Sequence, residues 1–152
     1  MESAIIRKRL PFTINMIRFD YIKETSFKPA VEHKYWLQQV IRREGKIPGD
    51  IFYIFCDDEY MLERNVAFLN HDTYTDIITF EECVGNVVAG SILISVDRVG
   101  ENAIKFGKTF DNELLRVIVH GTLHLCGYKD KTDSEARLMR QKEDESLALL
   151  VS

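Results

Sequence analysis

Cysteine is scarce in this chain: Cys56, Cys83 and Cys126 are the three among 152 residues, odd in number and with no C-x-x-C pair. That excludes a disulfide framework and a cysteine-rich zinc site, and it fits a reducing cytoplasm. Each cysteine reads as a small buried hydrophobe. Long apolar runs are also missing. The longest stretch without a formal charge, Cys83–Val96, has 14 residues and is interrupted by Gly85, Asn86 and Gly90. A membrane-spanning helix needs about 20 apolar residues, so no span is expected. The first twelve residues, broken by Arg7-Lys8-Arg9, do not read as a secretory signal.

An excess of positive charge is absent as well. Twenty Lys and Arg against 24 Asp and Glu leave a net charge of −4. A non-specific nucleic-acid binder is usually basic overall, so any RNA contact must use a local patch. The acidic run Glu143-Asp144-Glu145 reads as a solvated face. Repeats, low-complexity tracts and linkers are not found, and the length suits one domain over residues 1–152, with 1–13 as a candidate N-terminal extension.

Hydrophobic residues make up 45% of the chain, including nine Phe and six Tyr, enough for a core. Ile14 to Phe19 alternates as an early strand would. Helical spacing runs from Pro29 to about Glu44 through Val31, Tyr35, Leu37, Val40 and Ile41, with Gly45 at the exit. The Pro48-Gly49 pair reads as a turn before a short strand, 51–56. Asp57 or Asp58 caps a helix through Leu69. Two strands, 75–80 and 86–95, follow, then a helix begun by Ser95 or Asp97 and ending near Gly107. Asp111 caps an apolar helix that stops at Gly127, and a charged helix runs from about Thr132 to Leu150. Strands and helices mix without strict alternation, which is the α+β class.

The chemistry is concentrated in Asp111–Asp133. His120 and His124 are four residues apart, so on a helix they share one face about 40° apart and can grip one metal ion. Glu113, Arg116, His120 and His124 fall in one narrow arc. Leu114, Leu115, Ile118, Val119, Thr122, Leu125 and Cys126 take the opposite side. Gly127 can end the helix in a left-handed conformation, and the returning chain places Asp130 in register as a third ligand. Three protein ligands leave a fourth zinc position open, as in catalytic sites. The plainer alternative is two satisfied core histidines with Asp130 in a turn. The residue after the first histidine is Gly121, where a metalloprotease has its glutamate base, so peptidase chemistry by that route is disfavoured. Zinc lowers the pKa of its water without a side-chain base, and RNA brings its own 2′-OH nucleophile.

HGTLHLCGYKD resembles the H-G-x-L-H-L-x-G-Y-D-H signature of the YbeY family, bacterial metal-dependent endoribonucleases of ribosomal RNA maturation. NVAFLNHDTYTDIITF (65–80) is similar to the family's L-N-x-x-Y-R-x-x-D-x-P-T-D-V-L-S-F segment, and AGSILISVDRV (89–99) to its G-D-I-x-I-S strand and following helix. The resemblance spans roughly residues 14 to 147. It implies one α+β domain, a small mixed sheet packed with helices around a three-ligand metal site. It also implies one zinc ion per chain held by His120, His124 and Asp130, and cleavage of single-stranded RNA in maturing the 3′ end of small-subunit ribosomal RNA. The implied partners are ribosomal RNA and the ribosome or a ribosomal protein, with no membrane; a monomer is expected. The alternative is a ribosome-assembly factor with a structural metal and little hydrolytic activity.

Three positions depart from the pattern. Asp130 replaces a histidine, making the site less positive by one charge and weakening the ion's acidifying effect on water. Leu69 stands at a usual arginine, and Arg116, on the histidine stripe, is the candidate to take its catalytic place beside His120 and His124. Arg116 reads equally as an ion-pair partner of Glu113 or Glu82. Ser91 stands at a usual aspartate. Thr75 and Asp76 match the family but also suit a turn before a strand. His33 and His71 are expected on the surface, Trp36 and Tyr35 in the core. Lys129 and Lys131 flank Asp130; they read as solvated loop lysines by default, with a phosphate contact as the alternative.

Overall fold

The structure, a computed structural model, describes residues 16–69 and 75–151. Among the described residues, four strands, β1 (Ile17–Tyr21), β2 (Ile47–Cys56), β3 (Ile77–Glu81) and β4 (Val87–Ser95), form one sheet in the order β1-β2-β4-β3. β1 and β4 run parallel to β2, while β3 pairs antiparallel with β4. Five helices among the described residues surround it: α1 (Val31–Arg43), α2 (Asp58–Leu69), α3 (Val96–Lys105), α4 (Phe110–Leu125) and α5 (Asp133–Val151). This is the expected α+β domain with a small mixed sheet. Among the described residues, no helix is long and apolar enough to cross a membrane.

Strand alternation decides which helix covers which face. Ile51, Tyr53 and Phe55 of β2, with Ile92 and Ile94 of β4, enter the main core with residues of α1 and α4. Cys56 of β2 and Leu93 of β4 point the other way and meet Met61 of α2 and Ile78 of β3. α4 is therefore an inner helix. Its residues Leu114, Ile118, Val119, Thr122 and Leu123 are fully buried. Tyr53 Oη and Thr122 Oγ1 lie 2.6 Å apart in a buried hydrogen bond that ties α4 to β2. Trp36 Nε1 donates to the Ser146 carbonyl at 2.7 Å, tying α1 to α5.

Several expectations are corrected. Pro48 and Gly49 lie inside β2, at a register shift between Pro48 and Ile51, where an irregular ladder tolerates a residue without an N–H. The cap of α4 is Thr109, whose Oγ1 accepts from Asn112 N–H at 3.1 Å; Asp111 sits in the first turn, where its charge favours the helix dipole. Val31 and Tyr35 are exposed, whereas Trp36, Leu37, Val40 and Ile41 are buried. The apolar stripe of α1 thus begins one turn later than the spacing suggested. His33 is buried rather than on the surface, because its Nδ1 accepts the Ala30 N–H at 2.8 Å and its ring packs edge-on against Phe27 and Trp36. Ile14 of the first strand and His71 lie outside the described residues.

Candidate metal centre

Helix α4 delivers two of the three expected ligands, and its C-terminus delivers the third. Gly127 adopts a φ of 109°, a left-handed region that side chains resist. Around it the Tyr128 N–H reaches the Leu123 carbonyl at 3.0 Å and the Gly127 N–H reaches the His124 carbonyl at 3.0 Å. These two bonds are the Schellman closure, which satisfies the last carbonyls and turns the chain back over its own helix. The turn brings Asp130 Oδ2 to 3.2 Å from His120 Nε2 and 3.5 Å from His124 Nε2. The two Nε2 atoms are 3.0 Å apart.

The outer nitrogen of each imidazole is held. His124 Nδ1 lies 2.9 Å from the Tyr128 carbonyl, which can only accept, so this nitrogen carries the proton. His120 Nδ1 lies 2.6 Å from Glu143 Oε2 of α5, a carboxylate that also calls for a donor. Both Nε2 lone pairs then face one another and a carboxylate oxygen within a few ångströms. Three converging acceptors repel unless a cation or proton sits among them. Two zinc ligands at about 2.0–2.1 Å and a tetrahedral angle are about 3.3 Å apart. The observed separations of 3.0, 3.2 and 3.5 Å bracket that value. The donor set therefore fits a divalent ion, and the anchored imidazoles are the arrangement by which proteins orient metal-binding histidines.

The supporting residues are anchored in turn. Tyr128 Oη donates to Glu44 Oε1 at 2.5 Å, fastening the ligand loop to the end of α1. Glu143 accepts from Arg116 Nη1 at 2.8 Å, and Arg116 Nη2 reaches Asp144 Oδ1 at 2.7 Å. Arg116 is ion-paired in this structure, and its hydrogen-bonded carboxylates lie on α5 and are not Glu113 or Glu82. Burial disfavours the Glu143 carboxylate, yet the hydrogen bonds and charges of His120 and Arg116 hold its pKa below the usual value. Burial also disfavours charge on His120, and Glu143, Asp130 and Asp76 more than offset this, raising its pKa.

Glu143 is the residue that sequence reasoning missed. The run Glu143-Asp144-Glu145 is not a uniform solvated face, since Glu143 is 5% exposed. A signal was present: Met139, Glu143 and Ser146 follow one helical stripe, and Met139 and Ser146 are also buried. Asp76, at the entry to β3, and Glu113 face the cleft in which His120 lies, and burial raises the pKa of both. Lys129 and Lys131 are exposed and line a second hollow with His124 and Asp130. Ser91 pairs with Phe52 and Phe80 in mid-sheet. Leu69 closes α2, and its side chain lies outside what the structure describes.

Comparison with known proteins agrees with this geometry. The family model described as endoribonuclease YbeY matches residues 19–151. An endoribonuclease YbeY of Flavobacterium johnsoniae is 53% identical over 134 residues, 88% of this chain and 96% of the relative. One from Christiangramia forsetii is 52% identical, covering 86% of this chain and 92% of its own length. A solution structure of a Thermotoga maritima protein is similar at a TM-score of 0.63 and 31% identity, over 86% of each chain. With a matching fold, a matching family model over most of its length and relatives of about half identical sequence, the chain belongs to the endoribonuclease YbeY family.

Proposed function

We propose that this protein is a zinc-dependent, single-strand-specific endoribonuclease that acts in the cytoplasm on ribosomal RNA, in maturation of the small-subunit 3′ end. The observation that carries the reading is the convergence of His120 Nε2, His124 Nε2 and Asp130 Oδ2 within 3.5 Å, with both outer nitrogens anchored. His120, His124 and Asp130 would hold one zinc ion. Zinc supplies Lewis acidity toward a phosphodiester oxygen and lowers the pKa of its water.

The chain's own groups do the rest. Glu143 and the Tyr128 carbonyl keep the imidazole protons on Nδ1, so that both Nε2 atoms remain free to bind. Asp130 makes the ligand set one charge less positive than three histidines would, which moderates the acidity of bound water. Lys129 and Lys131 flank this ligand from an exposed loop, and Arg140 stands 60% exposed on α5. These cations can neutralise charge developing on a cleaved phosphate. Arg116, already committed to Glu143 and Asp144, supports the ligand frame. The ribosome or a ribosomal protein as partner suits a chain whose net charge of −4 gives little steering toward free RNA.

A structural metal is the competing reading, and the packing argues against it. Leu114, Ile118 and Leu123 bury α4 completely on the side away from the ligands, so the helix does not depend on an ion for its place. The test is metal content together with cleavage of ribosomal RNA with and without chelator. One zinc per chain and cleavage that chelation silences without unfolding the protein are expected. Chelation that unfolds the chain, or tightly held zinc with no cleavage, would favour the assembly-factor reading.

A further inference from the structure

Beside the three ligands lies a cleft of about 290 Å³, walled by α3, α4, α5 and the start of β3. His120 forms part of its lining, and Phe106 stands across it at the C-cap of α3. Phe106 is 54% exposed. Single exposed apolar residues are common. This one lies in the same cleft as a ligand of the metal centre, where an aromatic face can reach whatever chain crosses that centre. The size is at the low end for a ligand pocket, suited to one nucleotide and too small for several.

The charge of the cleft selects which part of a nucleotide enters. Asp76, Glu113 and Glu143 bring three carboxylates to its lining. Arg116 is spent on Glu143 and Asp144, while Arg140 makes only a long 3.8 Å contact with Glu143. An interior of this kind repels phosphate and accepts the neutral base, whose exocyclic amino group can donate to a carboxylate. Asn102, one turn before Phe106, offers both a donor and an acceptor. Positive charge lies at Lys105, whose Nζ is 5.5 Å from the Phe106 ring centroid, at Arg140 and, beyond the ligands, at Lys129 and Lys131.

Building on the proposed nuclease function, we propose that this cleft is a nucleobase subsite, in which one unstacked base lies on the Phe106 ring while its phosphate remains at the metal centre. The strand then continues past His124 toward Lys129 and Lys131. A base in a duplex is already stacked and paired and cannot enter, so the subsite makes single-strandedness a condition of productive binding.

The experiment compares the parent with Phe106→Ala and Phe106→Trp on a single-stranded oligoribonucleotide. Stacking on an aromatic residue predicts that F106A raises KM about 5- to 150-fold, with zinc content and thermal midpoint held, because the ring is largely outside the core. F106W should retain KM, and its added indole fluorescence should be quenched by the single strand and not by a duplex. An unchanged KM in F106A, or quenching by duplex as strong as by single strand, overturns the subsite and leaves the ring to a protein contact. If the parent cleaves no RNA, the nuclease reading falls on its own, and the quenching of F106W still decides whether a base binds here.

Discussion

Glu143 Oε2 lies 2.6 Å from His120 Nδ1, joining α5 to the first ligand on α4 through a carboxylate that is 5% exposed. The bond fixes the ring's orientation and leaves its Nε2 free. Removing such an outer partner typically costs about 10–100-fold in metal affinity. Glu143→Ala is therefore expected to weaken zinc binding by about that factor. Glu143→Gln, which keeps an acceptor oxygen, should lose less. A competition titration against a chromophoric chelator reads both. Equal affinities in the parent and both variants would show that the contact only packs the two helices.

The same pair sets a pH dependence. In the metal-free protein, burial opposes charge on His120, but Glu143, Asp130 and Asp76 outweigh it and raise the pKa above the usual imidazole value of about 6.5. The ion must displace that proton. Zinc affinity should accordingly rise with pH through a midpoint above about 6.5, and fall as the pH drops below it. In Glu143→Gln the midpoint should move down, because the largest acidic neighbour has been neutralised. A series of affinities between pH 5.5 and 8.5, taken for both proteins, tests the sign.

Arg116 offers a way to separate support from substrate contact. Its two terminal nitrogens bond Glu143 and Asp144 at 2.8 and 2.7 Å. Arg116→Gln should lower the thermal midpoint and weaken zinc binding, since hydrogen bonds to charged groups contribute about 1.5–3 kcal/mol and Glu143 is left buried beside one fewer cation. KM for RNA measured at saturating zinc should change little. The opposite pattern, a raised KM with unaltered zinc affinity, would return Arg116 to the role of phosphate ligand.

Much of this centre was legible in the sequence because its ligands are local. His120, His124 and Asp130 span eleven residues, and helix geometry plus one glycine fixes their relation. Glu143 was not legible in the same way. It approaches His120 only through the packing of α5 on α4, a tertiary relation that a run of three acidic residues conceals. Pro48-Gly49 misled for a similar reason: turn chemistry is a local preference, and here the sheet ladder between β2 and its neighbours overrides it. His33 shows the same limit. Its polarity suggests the surface, and one backbone N–H makes it a satisfied core residue.

The glycine that follows His120 explains why this fold has no adjacent glutamate base. A Cβ at Gly121 would lie 2.7 Å from Ile77 Cδ1 and 2.9 Å from Ile92 Cγ2, on the side of α4 that presses against β3 and β4. The position after the first ligand thus faces the sheet and not the cleft. Gly121→Ala gains up to about 1 kcal/mol of helix propensity, but overpacking of this kind costs about 1–3 kcal/mol. The expected net result is a lowered thermal midpoint together with weaker zinc binding, because relief of the clash pushes α4, and His120 with it, away from the sheet. Gly121→Glu should fail to fold, as the carboxylate would enter the contact with Ile77 and Ile92. Calorimetry of the alanine variant with and without zinc decides the matter: a midpoint equal to the parent's in both states would mean that the isoleucine side chains yield and the helix does not move.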